Sequence, residues 1–286
     1  MNVLEVRDLT VRYRTTRGDY TAVDGVDLDV RQGEILGIAG ESGCGKTTLA
    51  TTVLRLLRAP GYVAGGQVMF YPQEGEPINL LSLSGRRLRA VRWRNLAYLP
   101  QGSMNSLNPV TNVKNQFIDV MKAHATGRLS NMDDRIAELL HRVGLEPEVA
   151  QMYPHELSGG MKQRVIMAIA VALEPDLLIA DEPTTALDVT VQRLVIQNLS
   201  ELRENYGVTL AVITHDMGVH AQLVDRVAVM NEGQVVEVGD VRQIFAAAQH
   251  PYTQSLIASV PNLDVHQRER AGVHRAPEGA NIREAM

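Results

Sequence analysis

Eight consecutive residues, Gly40-Glu41-Ser42-Gly43-Cys44-Gly45-Lys46-Thr47, carry the spacing G-x-x-x-x-G-K-[ST] in full. The chemistry of that spacing is anion capture. Its glycines let backbone N–H groups turn inward around phosphate oxygens. A helix opening at Lys46 adds its positive N-terminal end to the same anion. Lys46 brings a mobile positive charge for β- and γ-phosphates, and Thr47 a hydroxyl that can ligate Mg²⁺. Cys44 fits the loop as a small residue, and a bulky adduct on its thiol would obstruct nucleotide entry.

A second group suits the same reaction. Residues 177–182 (LLIADE) form an apolar run that ends in two acids. Side chains alternate along a strand, so Asp181 and Glu182 point in different directions. Asp181 is placed to hold Mg²⁺ through water. Glu182 then faces the γ-phosphate and can polarise an attacking water as general base. Together the two groups describe hydrolysis of a nucleoside triphosphate.

The elements that must position these residues are legible from periodicity. Residues 3–6, 10–13 and 26–30 alternate apolar and polar, as strands of a half-exposed antiparallel sheet do. Residues 34–39 (EILGIA) read as a buried strand leading into the phosphate loop. After Lys46 a helix is predicted, with Leu49, Val53, Leu56 and Leu57 on one face. Further strands are predicted at 67–71, 96–100, 177–180 and 208–213, and helices across 115–143, 161–173 and 189–204. Strands at 226–230 and 234–238, joined by Asn231, Glu232 and Gly233, read as a hairpin. Buried strands alternating with helices imply an α/β fold with a mainly parallel sheet covered on both faces. The flanking strands imply a separate, smaller antiparallel sheet. From Asp264 onward the chain is a polar tail.

The bulk numbers exclude several classes. The 286 residues are 45% hydrophobic and 21% charged, with a net charge of −5, which is ordinary globular composition without the basic excess of a nucleic-acid binder. The single cysteine, Cys44, supports neither an internal disulfide nor a cysteine metal cluster. Residues 1–7 lack the basic start and apolar centre of a signal peptide. The longest apolar run, 165–173, is about half of the roughly 20 residues that a spanning helix needs. Contact with a membrane is therefore expected through a partner protein.

Leu157-Ser158-Gly159-Gly160-Met161-Lys162-Gln163-Arg164 lies just upstream of the acidic strand end and opens a helix. It resembles the signature of ATP-binding cassette (ABC) proteins. The resemblance implies that Ser158, Gly159, Gly160 and Met161 grip the γ-phosphate of ATP held by a second subunit, again at a helix N-terminus. It extends over residues 3–263. Tyr13 resembles the aromatic residue that stacks on adenine, with Tyr20 as the alternative. The ATP contacts implied run from Gly40 through Lys46 and Thr47 to Thr48. Gln101 resembles the glutamine that joins the Mg²⁺ site to the transmembrane partner. Thr185-Ala186-Leu187-Asp188 resembles the loop that crosses the dimer interface, and His215 the histidine that contacts the γ-phosphate. The fold implied is a P-loop NTPase core with an antiparallel β subdomain and an inserted helical subdomain.

Three features resemble one branch, the ATPases of dipeptide, oligopeptide and nickel importers: Met161 in the signature, Ser106-Leu107-Asn108-Pro109, and His250-Pro251-Tyr252-Thr253 with Ser259-Val260-Pro261. Relatives in that branch also import oligosaccharides. Two departures stand out. No cysteine follows Cys44, so the iron–sulfur cluster that some members carry is not expected. Gly102-Ser103 replaces the usual Asp-Pro after the glutamine. The organisation implied is a nucleotide-binding domain at 1–245, with the segment 102–157 facing the membrane partner, and a C-terminal extension with its tail at 246–286. The partners implied are a second ATPase chain, with a heterodimer favoured, two transmembrane permeases and, indirectly, an extracytoplasmic solute-binding protein. The cofactors implied are ATP and Mg²⁺, and the location is the cytoplasmic face of the cell membrane. Cassette ATPases of DNA repair and chromosome structure carry a long coiled coil between loop and signature, and no heptad run lies between Lys46 and Ser158. Translation and regulatory ATPases of this kind usually carry two cassettes, and one is found. A non-catalytic gating subunit would not need Lys46, Asp181, Glu182 and His215 intact.

Overall fold

The computed structural model describes residues 1–102, 106–124, 131–185 and 189–259. Ser103, Ala186, Leu187, Asp188, the run Val260-Pro261 and the tail from Asp264 lie outside the described residues.

Two sheets form the frame. The larger has six strands in the order β10-β9-β3-β8-β7-β6. These are β3 (Ile35–Ala39), β6 (Leu96–Leu99), β7 (Leu177–Asp181), β8 (Thr209–Ile213), β9 (Arg226–Asn231) and β10 (Gln234–Asp240). All run parallel except β10, which turns back on β9 as a hairpin. The smaller sheet has four antiparallel strands in the order β2-β1-β4-β5. These are β1 (Asn2–Thr15), β2 (Gly18–Arg31), β4 (Gly61–Phe70) and β5 (Ile78–Asn79).

Burial on both faces explains why the interiors of the parallel strands are apolar. Leu177 and Ile179 of β7 face a core shared with the small sheet and helix α1 (Lys46–Val53). Leu178 and Ala180 face the opposite core. That second core is closed by helices α3 (Val113–His124), α4 (Met132–Arg142), α5 (Gly159–Ala170) and α6 (Val189–Tyr206). Short helices α2 (Gly85–Val91), α7 (Met217–Leu223), α8 (Val241–Ala247) and α9 (Pro251–Ala258) complete the chain. Among the described residues, helices α3 and α4 and two short 3-10 turns are inserted between β6 and α5. Among the described residues, no helix is long and apolar enough to cross a membrane.

The structure departs from the periodicity reading in several places. The strands predicted at 3–6 and 10–13 are one strand with register shifts. Asp8 sits there at φ +46°, its N–H held by Asp27 Oδ1 at 2.8 Å, so a bulge replaces the predicted break. The helix after Lys46 stops at Val53 rather than running to Leu57, and the chain turns at Arg55 with φ +58°. The helix predicted from Met161 begins at Gly159, because Ser158 caps it. In the stretch read as helical, 115–143, the described residues form α3, which already starts at Val113, and α4.

One buried polar side chain ties the phosphate-loop strand to its neighbour. His220 of α7 is fully buried and its Nε2 lies 3.2 Å from the Thr214 carbonyl oxygen. A carbonyl only accepts, so Nε2 carries the proton. Gly37 in β3 leaves the room, since a Cβ there would overlap the ring. Burial pushes the His220 pKa down to about 4, against weaker opposing effects of the Thr214 carbonyl, Asp216 and Glu182. The folded protein therefore refuses a proton that the unfolded chain accepts below its ordinary value of 6.5. Stability is intact above that value and falls as pH drops from 6.5 towards about 4. The loss approaches about 3 kcal/mol at the acid end. Denaturant midpoints measured from pH 7 to 4 should fall less steeply for His220→Gln, and equal slopes for the two proteins would contradict this assignment.

Candidate active site

The site lies beyond the carboxyl ends of the parallel strands, where such sheets place ligands. Register brings the strand ends level, with Ile38 beside Ile213 and Ile213 beside Asp181. The residues just past those ends are Gly40, His215 and Glu182. Gln101 follows β6, two positions past the pairing of Leu99 with Ala180.

Sterics dictate the glycines of the loop. A Cβ on Gly40 would overlap the Met230 carbonyl oxygen, and one on Gly45 the Ala22 carbonyl oxygen. Both also adopt left-handed φ values, +147° and +108°. Lys46, only 6% exposed, lies inside the loop. Its Nζ donates to the carbonyls of Gly40 at 2.7 Å and Glu41 at 2.8 Å, with a weak third contact to Cys44 Sγ at 3.6 Å. Cys44 is buried, and its carbonyl accepts from the N–H of Gly233 in the β9–β10 turn at 3.0 Å. The tip from Glu41 to Gly43 is exposed.

The two acids diverge. Asp181 is fully buried, and its Oδ1 accepts from Thr47 Oγ1 at 3.2 Å while its Oδ2 accepts from the Tyr98 hydroxyl at 3.1 Å. Burial raises its pKa, and the two hydrogen bonds partly offset that. Burial and the adjoining Asp181 carboxylate also push the Tyr98 phenol well above its usual value. Glu182 leaves the strand at φ +50°. Its Oε2 accepts from Thr185 Oγ1 at 2.6 Å, and its Oε1 lies 2.9 Å from His215 Nδ1. His215 is itself half-exposed at the mouth. The hydroxyl of Thr47 and the carboxylate of Asp181 form a hard oxygen donor pair of the kind Mg²⁺ takes together with waters and phosphate oxygens.

Adenine-side candidates lie on the small sheet. Tyr13 pairs directly with Tyr20 across β1 and β2, so the two alternatives share one face. The Tyr13 hydroxyl lies 3.3 Å from Thr48 Oγ1, which ties it to the first turn of α1. Gly61 makes space for the Tyr13 ring, which a Cβ would crowd.

Lys46, Thr47, Asp181, Glu182 and His215 thus converge, and Tyr13 joins them through Thr48. The signature does not. Ser158 Oγ accepts from the Met161 N–H at 3.3 Å as a cap of its own helix. Ser158 and Gly159 are exposed. Among the described residues, no hydrogen bond joins the run 158–161 to the phosphate loop, and none joins Gln101 to Thr47 or Asp181. Sequence reasoning missed Tyr98. Tyr98 stands in a strand beside the acidic one, but nothing in its own run marks it as a partner of Asp181.

A cleft of about 550 Å³ opens on the helical side, lined by Leu56, Trp93, Pro100, Leu107, Val120 and Ile166 among others. The Ser106–Pro109 turn forms part of its wall. Gln116 of α3 pins that turn, accepting from the Asn108 N–H at 2.9 Å and donating to the Asn108 and Thr111 carbonyls.

Comparison with known proteins gives the family. Residues 23–185 match the family described as ABC transporter, and residues 236–284 match the oligopeptide/dipeptide transporter C-terminal region. The chain is 42% identical over 266 residues to the oligopeptide transport ATP-binding protein OppD of Bacillus subtilis, covering 92% of this chain and 73% of that one. It is 41% identical to the dipeptide transport ATP-binding protein DppD of Haemophilus influenzae, covering 91% of this chain and 78% of that one. Among solved structures it resembles a dimeric post-hydrolysis state of the ATP-binding cassette MJ0796 bound to ADP and Pi. The TM-score is 0.69 at 28% identity, over 83% of this chain and 98% of that one. With its phosphate loop, acidic strand end and histidine drawn to one mouth, the chain belongs to the ABC transporter family as one of its ATP-hydrolysing cassettes.

Proposed function

We propose that this chain is the motor of a peptide importer, acting at the cytoplasmic face of a membrane with a second cassette and two transmembrane permeases. The observation that carries the reading is the half-built pocket. Lys46, Thr47, Asp181, Glu182 and His215 gather at one mouth, while Ser158 of the signature is exposed and hydrogen-bonds only within its own helix. A second cassette completes the far side.

The loop from Gly40 to Thr48 binds the phosphates, with Lys46 exchanging its weak thiol contact for a phosphate oxygen. Tyr13, backed by Tyr20, stacks on adenine. Thr47, Asp181 and Gln101 hold Mg²⁺, which neutralises charge on the β- and γ-oxygens when bound. Glu182 takes a proton from the attacking water, and His215 holds the mouth of the site against the γ-phosphate. Ser158, Gly159, Gly160 and Met161 reach the partner's ATP. ATP therefore joins two cassettes and hydrolysis parts them, a rigid-body switch that drives the permeases. The relatives named for oligopeptide and dipeptide transport, together with the matching C-terminal region, support a peptide-like solute. We favour a heterodimer of cassettes and an extracytoplasmic solute-binding protein upstream. The apolar cleft, walled by Leu107 and Val120 of the 102–157 segment and by Leu56, Trp93 and Ile166 from outside it, suits a helix from a permease.

Pairing is the test. Substituting Ser158→Arg should leave ATP binding by the chain itself intact. It should abolish ATP-dependent association with its partner cassette, read by light scattering, and peptide uptake in vesicles that hold the permeases. Association and uptake at the unsubstituted level would overturn the composite pocket.

A further inference from the structure

The C-terminal run His250-Pro251-Tyr252-Thr253 has no part in the hydrolytic site described above, yet the structure brings it to the phosphate loop. The Tyr252 hydroxyl accepts a hydrogen bond from the backbone N–H of Glu41 at 3.0 Å, across 211 positions of sequence. We propose that Tyr252 is a positioning residue for the phosphate loop, so that the C-terminal helix α9 tunes the affinity of the site for ATP.

Each residue of the run contributes to mounting that hydroxyl. The Glu237 carboxylate of β10 accepts from the N–H groups of Gln249 at 2.8 Å and His250 at 3.1 Å, which fixes the entry to α9. The His250 ring caps the helix, with Nδ1 accepting from the Tyr252 N–H at 3.2 Å. Pro251 occupies the first turn, where a missing N–H costs nothing. Thr253 and Leu256 are buried, and Leu256 belongs to the core beneath the parallel sheet. Tyr252 therefore projects from a rigid base.

The loop it touches is otherwise loosely held. Its tip is exposed, and glycines at 40, 43 and 45 give it backbone freedom. Besides the Cys44 N–H, which donates to the Glu41 carbonyl at 3.3 Å, three contacts oppose that freedom. Lys46 grips the Gly40 and Glu41 carbonyls from inside, Gly233 holds the Cys44 carbonyl, and Tyr252 holds the Glu41 N–H from outside. The peptide joining Gly40 to Glu41 is thus held at both its C=O and its N–H. Fixing it before nucleotide arrives reduces the ordering cost charged against binding. Linkage makes the effect mutual, so bound ATP holds α9 more firmly in place.

The test uses the full chain and Tyr252→Phe, which removes one oxygen and keeps the ring. Loss of a single neutral hydrogen bond should weaken ATP binding, measured by calorimetry, by roughly two- to tenfold. Steady-state turnover should show KM raised by a similar factor and kcat lowered by less than about twofold. The melting temperature without nucleotide should stay within about 2 °C of the parent, because the buried base of α9 is untouched. Unchanged affinity and KM would overturn the proposal. So would a fall in kcat at constant KM, which would place Tyr252 in the chemical step. The inference rests on ATP binding in this loop, and the parent chain separates the two failures, since absence of ATP binding there would sink that reading instead.

Discussion

Glu182→Gln should lower ATP turnover by roughly 10²–10⁴-fold, the range lost when a general base is removed. The substitution is a close geometric match. The amide oxygen still accepts from Thr185 Oγ1, which now lies 2.6 Å from the carboxylate. The amide NH₂ can donate to Nδ1 of a neutral His215, which now lies 2.9 Å away. Side-chain position is therefore kept while the capacity to take a proton is lost. The phosphate contacts from Lys46, Thr47 and the loop N–H groups are untouched, so ATP affinity should hold. The variant should consequently accumulate as an ATP-joined pair, visible by gel filtration with light scattering beside a phosphate-release assay. Near-normal turnover would remove Glu182 from the role of base. Loss of ATP binding would show instead that the carboxylate organises the pocket.

The pattern of what sequence could and could not reveal has a physical origin. The phosphate loop is legible because its demands are local. Gly40 and Gly45 are crowded by carbonyl oxygens that leave no room for a Cβ, so the crowding appears directly as glycine. Asp181 and Glu182 are legible because a buried apolar strand that ends in acids presents them at the carboxyl end of the sheet. The frame is legible where strands are buried on both faces, as in residues 177–180 and 208–213. Illegible features depend on partners far along the chain or on single dihedrals. Asp8 joins two predicted strands through one left-handed residue and a hydrogen bond to Asp27. Arg55 ends α1 against an apolar stripe that would have continued it. His220 draws its meaning from the space at Gly37, and Tyr252 from the N–H of Glu41. Helices α2, α7, α8 and α9 have only seven or eight residues each, too few turns for periodicity to declare them.

Lys46→Ala should separate function from fold most sharply. Lys46 is buried with its ammonium held by two carbonyls, and burying a cation carries a desolvation cost that those hydrogen bonds must offset. Removing the whole side chain deletes the cost together with the bonds. The Gly40 and Glu41 carbonyls, next to an exposed loop tip, can then turn to water. Net destabilisation without nucleotide should stay near about 1 kcal/mol, a melting shift of roughly 2–4 °C for a domain of this size. The functional loss is much larger, because the charge that meets the transferring phosphoryl group disappears, and a preorganised donor of that kind is worth roughly 10²–10³-fold in turnover. Lys46→Arg should not rescue it. The planar guanidinium is too wide for a loop whose glycines already abut the Met230 and Ala22 carbonyls. Calorimetric ATP titration and phosphate release, set beside melting curves, test both halves. A melting shift far beyond that range would make Lys46 a structural strut of the loop, and retained turnover would show that the loop N–H groups and α1 suffice to hold the anion.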